Sequence, residues 1–280
     1  MPELAEVEFY RKEWDAGKGQ PITFVAMHAE KRIFRCTDSV QLRSALTGSR
    51  LLASEANGKQ MLFRFSGDRW LGIHLGMTGE LSLQSRDFVP GKHDHFVLFQ
   101  KKAALVFSDM RQFGLVRFDQ GPEPPRWWSD LGIAVSSPQF TLERMRAFLQ
   151  AHSKLAIKPA LLIQKGFPGV GNWMADEILW RSRIHPQLAA GKLNAAQLRR
   201  LWREVRFVCR QALRRIEHAF SDPPKNWLFH QRWSARGRCP RDGQPLVRET
   251  IGGRTSAWCP CCQPRNAKAR RPLSRRVRVT

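Results

Sequence analysis

A Pro-rich segment at residues 121–130, Gly-Pro-Glu-Pro-Pro-Arg-Trp-Trp-Ser-Asp, separates two kinds of sequence. Before it, from Ile22 to Phe118, short apolar runs alternate with Gly, Asn and Asp, a pattern typical of strands joined by turns. After it, apolar residues recur at helical spacing in segments such as Trp173–Arg183 and Ala195–His218. The change predicts an α+β multidomain chain with a β-sandwich first and a helical part second.

The N-terminal residues have two interpretations. Residues 3–16 predict an amphipathic helix, and in such a helix Pro2 suits the first turn and Glu3 suits the positive end. Alternatively, removal of Met1 leaves the Pro2 nitrogen as a free secondary amine, a nucleophile that forms an iminium with an aldehyde-like carbon. Glu3, the adjacent residue, would then transfer protons.

The net charge of the chain limits the kinds of partner that it is expected to bind. The 280 residues contain 47 Lys and Arg against 24 Asp and Glu, a net charge of +23. A folded chain this basic usually meets a polyanion, and nucleic acid is the first candidate. A basic surface that serves solubility and an acidic membrane face are the alternatives. No run of about 18 apolar residues predicts a membrane span.

Cysteines near the C-terminus predict a metal site. The pattern Cys239-x2-Asp242-x16-Cys259-x2-Cys262 has the spacing of a zinc ribbon, in which two pairs of ligands flank a hairpin. Zinc accepts carboxylate oxygen as well as sulfur, so three cysteines and one aspartate form a possible ligand set. Cys261 competes with Cys262 for the fourth place, and a hairpin without metal is the alternative. The clustering also favours a reducing compartment.

Three further features are each compatible with nucleic acid binding. The Gly-rich loop at residues 166–172 would bind an anion or simply connect two helices. An arginine stripe on the last predicted helix would face phosphates or water; it comprises Arg199, Arg203, Arg206, Arg210 and Arg214. Met77 and Phe113 would be core residues or wedges that enter a base stack.

These pieces, in this order, resemble the bacterial formamidopyrimidine-DNA glycosylase and endonuclease VIII family. The motifs that carry the resemblance extend from residue 2 to about residue 264. They are Pro2-Glu3-Leu4-x-Glu6-Val7-Glu8, Gly58-Lys59, His74-Leu75-Gly76-Met77-Thr78-Gly79, Lys92-His93-Asp94-His95, Asp109-x-Arg111-x-Phe113-Gly114, Ile157-Lys158-Pro159, Gly169-Val170-Gly171-Asn172-x-x-Ala175-Asp176-Glu177, Ile184-His185-Pro186 and Gly253-Arg254-Thr255.

The resemblance implies a domain order. It comprises an N-terminal catalytic β-sandwich with its N-terminal helix (residues 1–120), a linker (121–137), a helix–two-turn–helix DNA-binding domain (138–225), a zinc-finger hairpin (226–264) and a basic tail (265–280) that we expect to be disordered. Double-stranded DNA with damaged bases would lie across the cleft between the domains. The protein would act as a monomer in the bacterial cytoplasm, associated with the nucleoid through DNA.

The resemblance also implies residue roles in a bifunctional DNA glycosylase and abasic-site lyase. Pro2 would attack C1′ of the damaged nucleotide and Glu3 would move protons, with Lys59 at the same catalytic site. The side chains implied in DNA contacts are those of Lys59, His74, His93, Arg111, Lys158, Asn172 and Arg254. Met77, Arg111 and Phe113 would fill the gap left by the everted base. Cys239, Asp242, Cys259 and Cys262 would hold one structural zinc ion.

The gap-filling residues indicate the branch that removes oxidised purines, 8-oxoguanine and formamidopyrimidines, by β,δ-elimination. Oxidised pyrimidines or abasic sites are the alternative substrates, and a binding protein without turnover is the alternative class. Three departures from the family pattern bear on these expectations. Ala5 replaces the family's usual Pro, and we expect little effect because Pro2 and Glu3 remain. Asp242 replaces a cysteine ligand, and the loop at residues 221–231 does not match the family's Gly-containing loop over the everted base.

Overall fold

A computed structural model describes residues 2–216 and 221–265. Met1, residues 217–220, the side chain of Ile216 and residues 266–280 lie outside the description. The expected removal of Met1, the last residues of the helix predicted to His218 and the basic tail therefore fall outside it as well. The described residues form two compact units, one from residues 2–140, 163–171, 209–216 and 221–222, the other from 141–162, 172–208 and 223–265.

Two antiparallel four-stranded sheets form most of the first unit, with strand orders β1-β6-β7-β5 and β2-β3-β4-β8. Helix α1 precedes them, α2 follows β1 and the single turn α3 follows β8. Their bounds are α1 Leu4–Glu13, β1 Ile22–Met27, α2 Ser39–Leu46, β2 Leu51–Asn57, β3 Gln60–Phe65, β4 Arg69–His74, β5 Gly79–Ser85, β6 Asp94–Gln100, β7 Ala103–Asp109, β8 Leu115–Gln120 and α3 Arg126–Ser129.

One apolar core joins the two sheets, which makes the unit a β-sandwich. It contains Phe63 and Ile73 from one sheet and Phe96 and Phe107 from the other. Trp14, in the 3-10 turn that ends α1, is fully buried in this core with its ring centroid 4.9 Å from that of Phe63. Burial of Trp14 among these side chains holds the C-terminal end of α1 against the sandwich.

Helices and one hairpin form the second unit. Their bounds are α4 Leu142–Ala151, α5 Ile157–Leu161, α6 Asn172–Ser182, α7 Ala195–Ile216, β9 Val247–Ile251 and β10 Arg254–Trp258. The part of α7 from Cys209 onward belongs to the first unit. Gly252 and Gly253 turn β9 into β10, both with positive φ as a tight hairpin turn requires.

The predicted fold class is confirmed: an N-terminal helix and β-sandwich, a helical region and a C-terminal hairpin with clustered cysteines. No helix within the described residues combines the length and the apolar character that a membrane crossing requires.

Candidate active site and nucleic-acid interface

Glu3 is the N-cap of α1 and is almost completely buried, with 2 % of its surface exposed. It forms a capping box with Glu6, in which each side chain accepts from the backbone N–H of the other residue, the Glu3 N–H donating at 3.2 Å. The neighbouring Pro2 is half-buried. Glu3 therefore lies at the positive end of α1, as the helical interpretation predicted, directly after Pro2 in the chain.

The Gly-rich loop holds this N-terminal segment in place within the first unit. Leu4 N–H donates to Gly169 O at 3.0 Å, and Gly171 N–H donates to Glu3 Oε2 at 3.0 Å. A Cβ atom on Gly171 would overlap the Glu3 carboxyl group, so only glycine permits this approach. The loop was predicted to bind an anion or to connect helices; here the anion that Gly171 meets is the Glu3 carboxylate.

Lys59 reaches the same neighbourhood from the turn between β2 and β3. Gly58, beside it, packs so closely on the loop that a Cβ atom there would lie 2.8 Å from Gly169 N. Asn57 Nδ2, on the other side of the turn, donates to Gly132 O at 3.0 Å. The turn that carries Lys59 is thus fixed against the loop that holds Leu4.

His74 ends β4, where it pairs with Gln60 of β3, directly after Lys59. Burial, together with the nearby charges of Lys59 and Arg117, lowers the pKa of His74 to about 4. Its Nδ1 accepts from Gly76 N–H at 3.0 Å, so the neutral ring carries its proton on Nε2. His74 therefore offers a neutral hydrogen-bond donor, not a cation.

Asp109 anchors the two loops that carry the predicted gap-filling residues. It is completely buried, and its carboxylate accepts from Thr78 Oγ1 at 2.8 Å and from Gly114 N–H at 2.7 Å. Arg111 N–H donates to it at 3.3 Å. Asp109 N–H donates to the carbonyl of His93 at 2.9 Å, so His93 is held at the same end of the sandwich.

Met77, Arg111 and Phe113 are presented to solvent by these loops. Met77 is 37 % exposed and Phe113 is 40 % exposed, so neither is a core residue. The guanidinium carbon of Arg111 lies 4.7 Å from the centre of the Phe113 ring, a cation–π contact that holds the two side chains together. Asp109 was part of the sequence motif, yet its anchoring role appears only in the structure.

A buried ionic network organises the second unit around Asp176 of α6. Its carboxylate pairs with Lys158 of α5 and with Arg232, whose Nη2 lies 2.7 Å from Oδ2, and it accepts from Ala257 N–H of β10 at 3.1 Å. These four residues are fully or almost fully buried. Asp176 therefore ties two helices and the hairpin together, a role that no sequence pattern indicated.

Asn172 and Arg254 are brought close to each other by this network. Asn172 Nδ2 donates to the carbonyl of Thr255 at 3.0 Å, beside the exposed Arg254 on the hairpin. The Lys158 ammonium donates to the carbonyl of Asn172 at 3.2 Å. Because Lys158 is completely buried, its ammonium group is not exposed at the surface and instead holds the main chain at Asn172.

Glu177, next to Asp176, is a buried carboxyl group. Burial raises the pKa of Glu177 to about 7, and the nearby Arg181 opposes this. Glu177 Oε2 accepts from Phe229 N–H at 3.2 Å and so supports the 3-10 turn Leu228–His230, which lies within the loop of residues 221–231.

Cys239, Asp242, Cys259 and Cys262 converge, with their ligand atoms within 4.8 Å of one another. A tetrahedral zinc ion with bonds of about 2.3 Å to sulfur and about 2.1 Å to oxygen separates two sulfurs by about 3.8 Å and a sulfur from an oxygen by about 3.6 Å. Cys239 Sγ lies 3.8 Å from Cys262 Sγ, and Asp242 Oδ2 lies 3.4 Å from Cys259 Sγ and 3.3 Å from Cys262 Sγ. The donor set fits a tetrahedral metal ion, and Cys261, which is exposed, lies outside it.

Protonation within this cluster is uneven. Hydrogen bonding from the Cys259 thiol lowers the pKa of Cys239 to about 6 against its burial, with help from the Trp180 indole N–H at 3.3 Å. Cys259 has a raised pKa because of its bond to Cys239 and its burial, and burial raises the pKa of Cys262 to about 11. The cluster without metal thus favours one thiolate, and a bound cation would displace the other protons.

Comparison with known proteins identifies the class. The Formamidopyrimidine-DNA glycosylase N-terminal domain family matches residues 1–116, and the Formamidopyrimidine-DNA glycosylase H2TH domain family matches residues 131–222. A formamidopyrimidine-DNA glycosylase of Pelotomaculum thermopropionicum is 32 % identical over 277 residues, which cover 94 % of this chain and 99 % of that protein.

Solved structures agree with the sequence comparison. Formamidopyrimidine-DNA glycosylase of Lactococcus lactis, in complex with DNA containing N7-benzyl-Fapy-dG, matches with a TM-score of 0.83 and 27 % identity over 94 % of this chain and all of that chain. The same enzyme with DNA containing an oxidised pyrimidine matches with a TM-score of 0.82 and 26 % identity, at the same coverage of both chains.

The fold and these matches define a DNA-repair enzyme of the glycosylase and abasic-site lyase class. Within that class, the chain belongs to the formamidopyrimidine-DNA glycosylase family.

Proposed function

We propose that this enzyme removes oxidised purines, 8-oxoguanine and formamidopyrimidines, from double-stranded DNA and then cuts the strand. The observation that carries the proposal is the buried Glu3 carboxylate, held by Gly171 N–H beside Pro2 at the start of α1. An amine nucleophile and a carboxylate in adjacent positions are the groups that covalent catalysis at a sugar carbon requires. The relative solved with DNA that contains N7-benzyl-Fapy-dG supports the substrate class.

The proposed chemistry begins with the free Pro2 amine. Its lone pair forms a bond to C1′ as the damaged base leaves with the bonding electrons and takes up a proton. Glu3 transfers a proton at the sugar as the ring opens, which gives the iminium between Pro2 and C1′. Loss of a C2′ proton then expels the 3′ phosphate, a second elimination expels the 5′ phosphate, and hydrolysis of the iminium restores Pro2.

Base eversion precedes this chemistry because C1′ cannot be attacked while the base is stacked. Met77, Arg111 and Phe113 are proposed to fill the vacated space, and their exposure on two loops anchored by Asp109 supports this. All three are also the residue types that indicate the oxidised-purine branch of the family.

Phosphate groups of the DNA backbone are proposed to contact Lys59, His74, His93, Arg111, Asn172 and Arg254, with Lys158 acting through Asn172. His74 would act as a neutral donor from Nε2, since its ring is uncharged near neutral pH. The net charge of +23 supports DNA as the partner and predicts affinity that falls steeply with salt.

Zinc is proposed as the ion held by Cys239, Asp242, Cys259 and Cys262, because the separations among their ligand atoms match its tetrahedral geometry. The ion would join the segment before β9 to the segment after β10, at the base of the hairpin. The hairpin also has metal-independent supports, Ala257 N–H on Asp176 and Thr255 O on Asn172. We propose in addition that the enzyme acts as a monomer on nucleoid DNA in the cytoplasm, which sedimentation of the enzyme with and without a duplex would test.

The substrate proposal is tested by single-turnover excision from four otherwise identical duplexes, which contain 8-oxoguanine, a formamidopyrimidine, an oxidised pyrimidine or an abasic site. We expect the two oxidised purines to be excised faster than the pyrimidine. Faster excision of the pyrimidine, which a relative also binds, would place the enzyme with the alternative branch. Tight binding of all four duplexes without cleavage would contradict catalysis and favour a binding protein.

A further inference from the structure

A cavity of about 410 Å³ lies in the second unit at the start of α7 and is separate from the residues assigned above. Its lining includes six basic or polar donors, Arg183, His185, Lys192, Asn194, Arg200 and Arg265. No carboxylate lines it. Glu249 on β9, an acid near His185, accepts from the Trp258 indole N–H at 3.1 Å. The cavity wall thus has a strong excess of positive charge.

His185 supplies an unused donor in this wall. It is 4 % exposed and its ring packs edge-on against Trp258 with centroids 4.3 Å apart. Its Nδ1 accepts from Gln187 N–H at 3.2 Å, so the neutral ring carries its proton on Nε2. Within the described residues, Nε2 is buried without a hydrogen-bond partner, which is uncommon for a polar atom and indicates a missing acceptor.

The start of α7 adds a second attraction for anions. Asn194 and Gln197 form a reciprocal capping pair, with N–H to side-chain oxygen distances of 3.0 and 2.9 Å. The helix that follows has 22 residues, so its N-terminus carries a partial positive charge toward the cavity that Asn194, Ala196 and Gln197 line.

Two of the cations have distinctive local structure. Arg183 follows α6 with φ of 56°, a conformation that favours glycine, yet the position holds a long basic side chain. Arg200 Nη1 donates to the carbonyl of Ser182 at 3.3 Å, which fixes that guanidinium at the cavity. Among the described residues, no carboxylate lies within ion-pair distance of Arg183, Lys192 or Arg265.

We propose that this cavity binds a phosphate group, with His185 Nε2–H and the helix start as donors and Arg183, Lys192, Arg200 and Arg265 as counter-charges. The phosphate comes either from the DNA backbone outside the lesion site or from a free phosphate compound. The binding step requires no catalysis and therefore stands independently of the proposed substrate.

The first test uses inorganic phosphate and pyrophosphate as probes of the whole protein. Proton–nitrogen correlation spectra of the histidine rings report the His185 Nε2 signal directly. We expect either anion to shift this signal in a saturable manner. The shift should be lost in Arg183→Gly/Lys192→Gln, which removes two cations while glycine suits the backbone at position 183. Lys101→Gln/Lys102→Gln, in the exposed β6–β7 turn, removes the same charge and should keep the shift.

The second test identifies the source of the phosphate. If DNA supplies it, the slope of log affinity against log salt on a long duplex should be shallower by about 0.9 per lost contact in the cavity variant than in the Lys101/Lys102 control. If a free compound supplies it, anion binding is lost and the two variants have equal slopes. The proposal is overturned if neither anion shifts the His185 signal and the two slopes are equal. Excision by the same variants reports separately on the proposed function.

Discussion

Glu3 performs two tasks with one carboxylate: it caps α1 and it accepts from Gly171 N–H. Glu3 was a candidate for proton transfer only because it is adjacent to Pro2 in the sequence. Its second partner lies 168 residues away, which no local pattern reveals. The Gly-rich loop looked like an anion site because glycine permits close approach; the group that approaches most closely is a side chain of the same protein.

Gly171→Ala tests this arrangement, because the added Cβ atom would overlap the Glu3 carboxyl group and displace it. We expect base excision to slow on the order of 100-fold, as is typical when a proton-transfer group is misplaced. Gly91→Ala is the control, since the Cβ atom there meets only the end of the Asp94 side chain at 3.4 Å. An unchanged rate in Gly171→Ala with displaced Glu3 would show that this carboxylate is not needed.

Met77→Ala tests the gap-filling assignment. Without the thioether, the vacated space is less well filled and eversion costs more, so we expect excision of a paired lesion to fall roughly tenfold, about 1.4 kcal/mol of barrier. Strand cutting at a preformed abasic site should change far less. Met110→Ala makes the same change at another exposed methionine, directly after the anchoring residue Asp109. It should leave both rates unchanged. Equal losses in the two variants would contradict a specific role for Met77.

At the scale of elements, the β9–β10 hairpin is held in two separable ways, by the Cys/Asp cluster and by its hydrogen bonds to Asp176 and Asn172. Asp242→Cys should raise zinc affinity, because a fourth thiolate suits the ion better. Asp242→Ala removes a ligand, so it should weaken zinc binding by more than the roughly 10- to 100-fold that is lost when a residue hydrogen-bonded to a ligand is removed. Zinc content after dialysis against a competing chelator measures both. Cys261→Ser is the control, since that thiol lies outside the cluster. Loss of metal in the control, or none in any variant, would contradict the assigned ligand set.

Glu177 links α6 to the 3-10 turn at Leu228–His230 and gives stability a pH dependence. Its folded pKa of about 7 lies above the usual value, so its contribution is full below about pH 4.5 and is lost as the pH rises through 7. A shift of this size corresponds to at most about 3 kcal/mol. Urea unfolding from pH 4.5 to 8 should therefore show a steeper decline in the natural protein than in Glu177→Gln. Parallel profiles would contradict the raised pKa.

Elements with strong local signals were predictable and others were not. Helix α2, Ser39–Leu46, has a strong local start signal, because the carboxylate of its N-cap Asp38 accepts from two backbone N–H groups. Strand β2 carries a weaker local signal, because five of its seven residues are polar or alanine, and the register with β3 supplies its stability. Helix α5 is only five residues long, Ile157–Leu161, and its Lys158 is buried in an ion pair with Asp176 that no local pattern indicates.

At the scale of the whole molecule, amino-acid composition predicted the class of partner, but it did not predict how the binding residues are arranged. A net charge of +23 indicates a polyanion, and the family to which the chain belongs acts on DNA. The charge did not show which cations are exposed for that purpose. Lys158 matches a phosphate-contacting position yet is buried against Asp176, whereas the cavity at the start of α7 gathers cations that no motif connects. Tertiary structure alone distinguishes these roles.

Borohydride trapping tests the central claim most directly. The enzyme is mixed with a duplex containing 8-oxoguanine or an abasic site, the imine is reduced, and the cross-linked peptide is identified by mass spectrometry. We predict a covalent adduct on the Pro2 nitrogen, and none with a protein that carries one extra residue before Pro2, in which that nitrogen is an amide. An adduct on a lysine such as Lys59, or no adduct despite strand cutting, would contradict catalysis by Pro2.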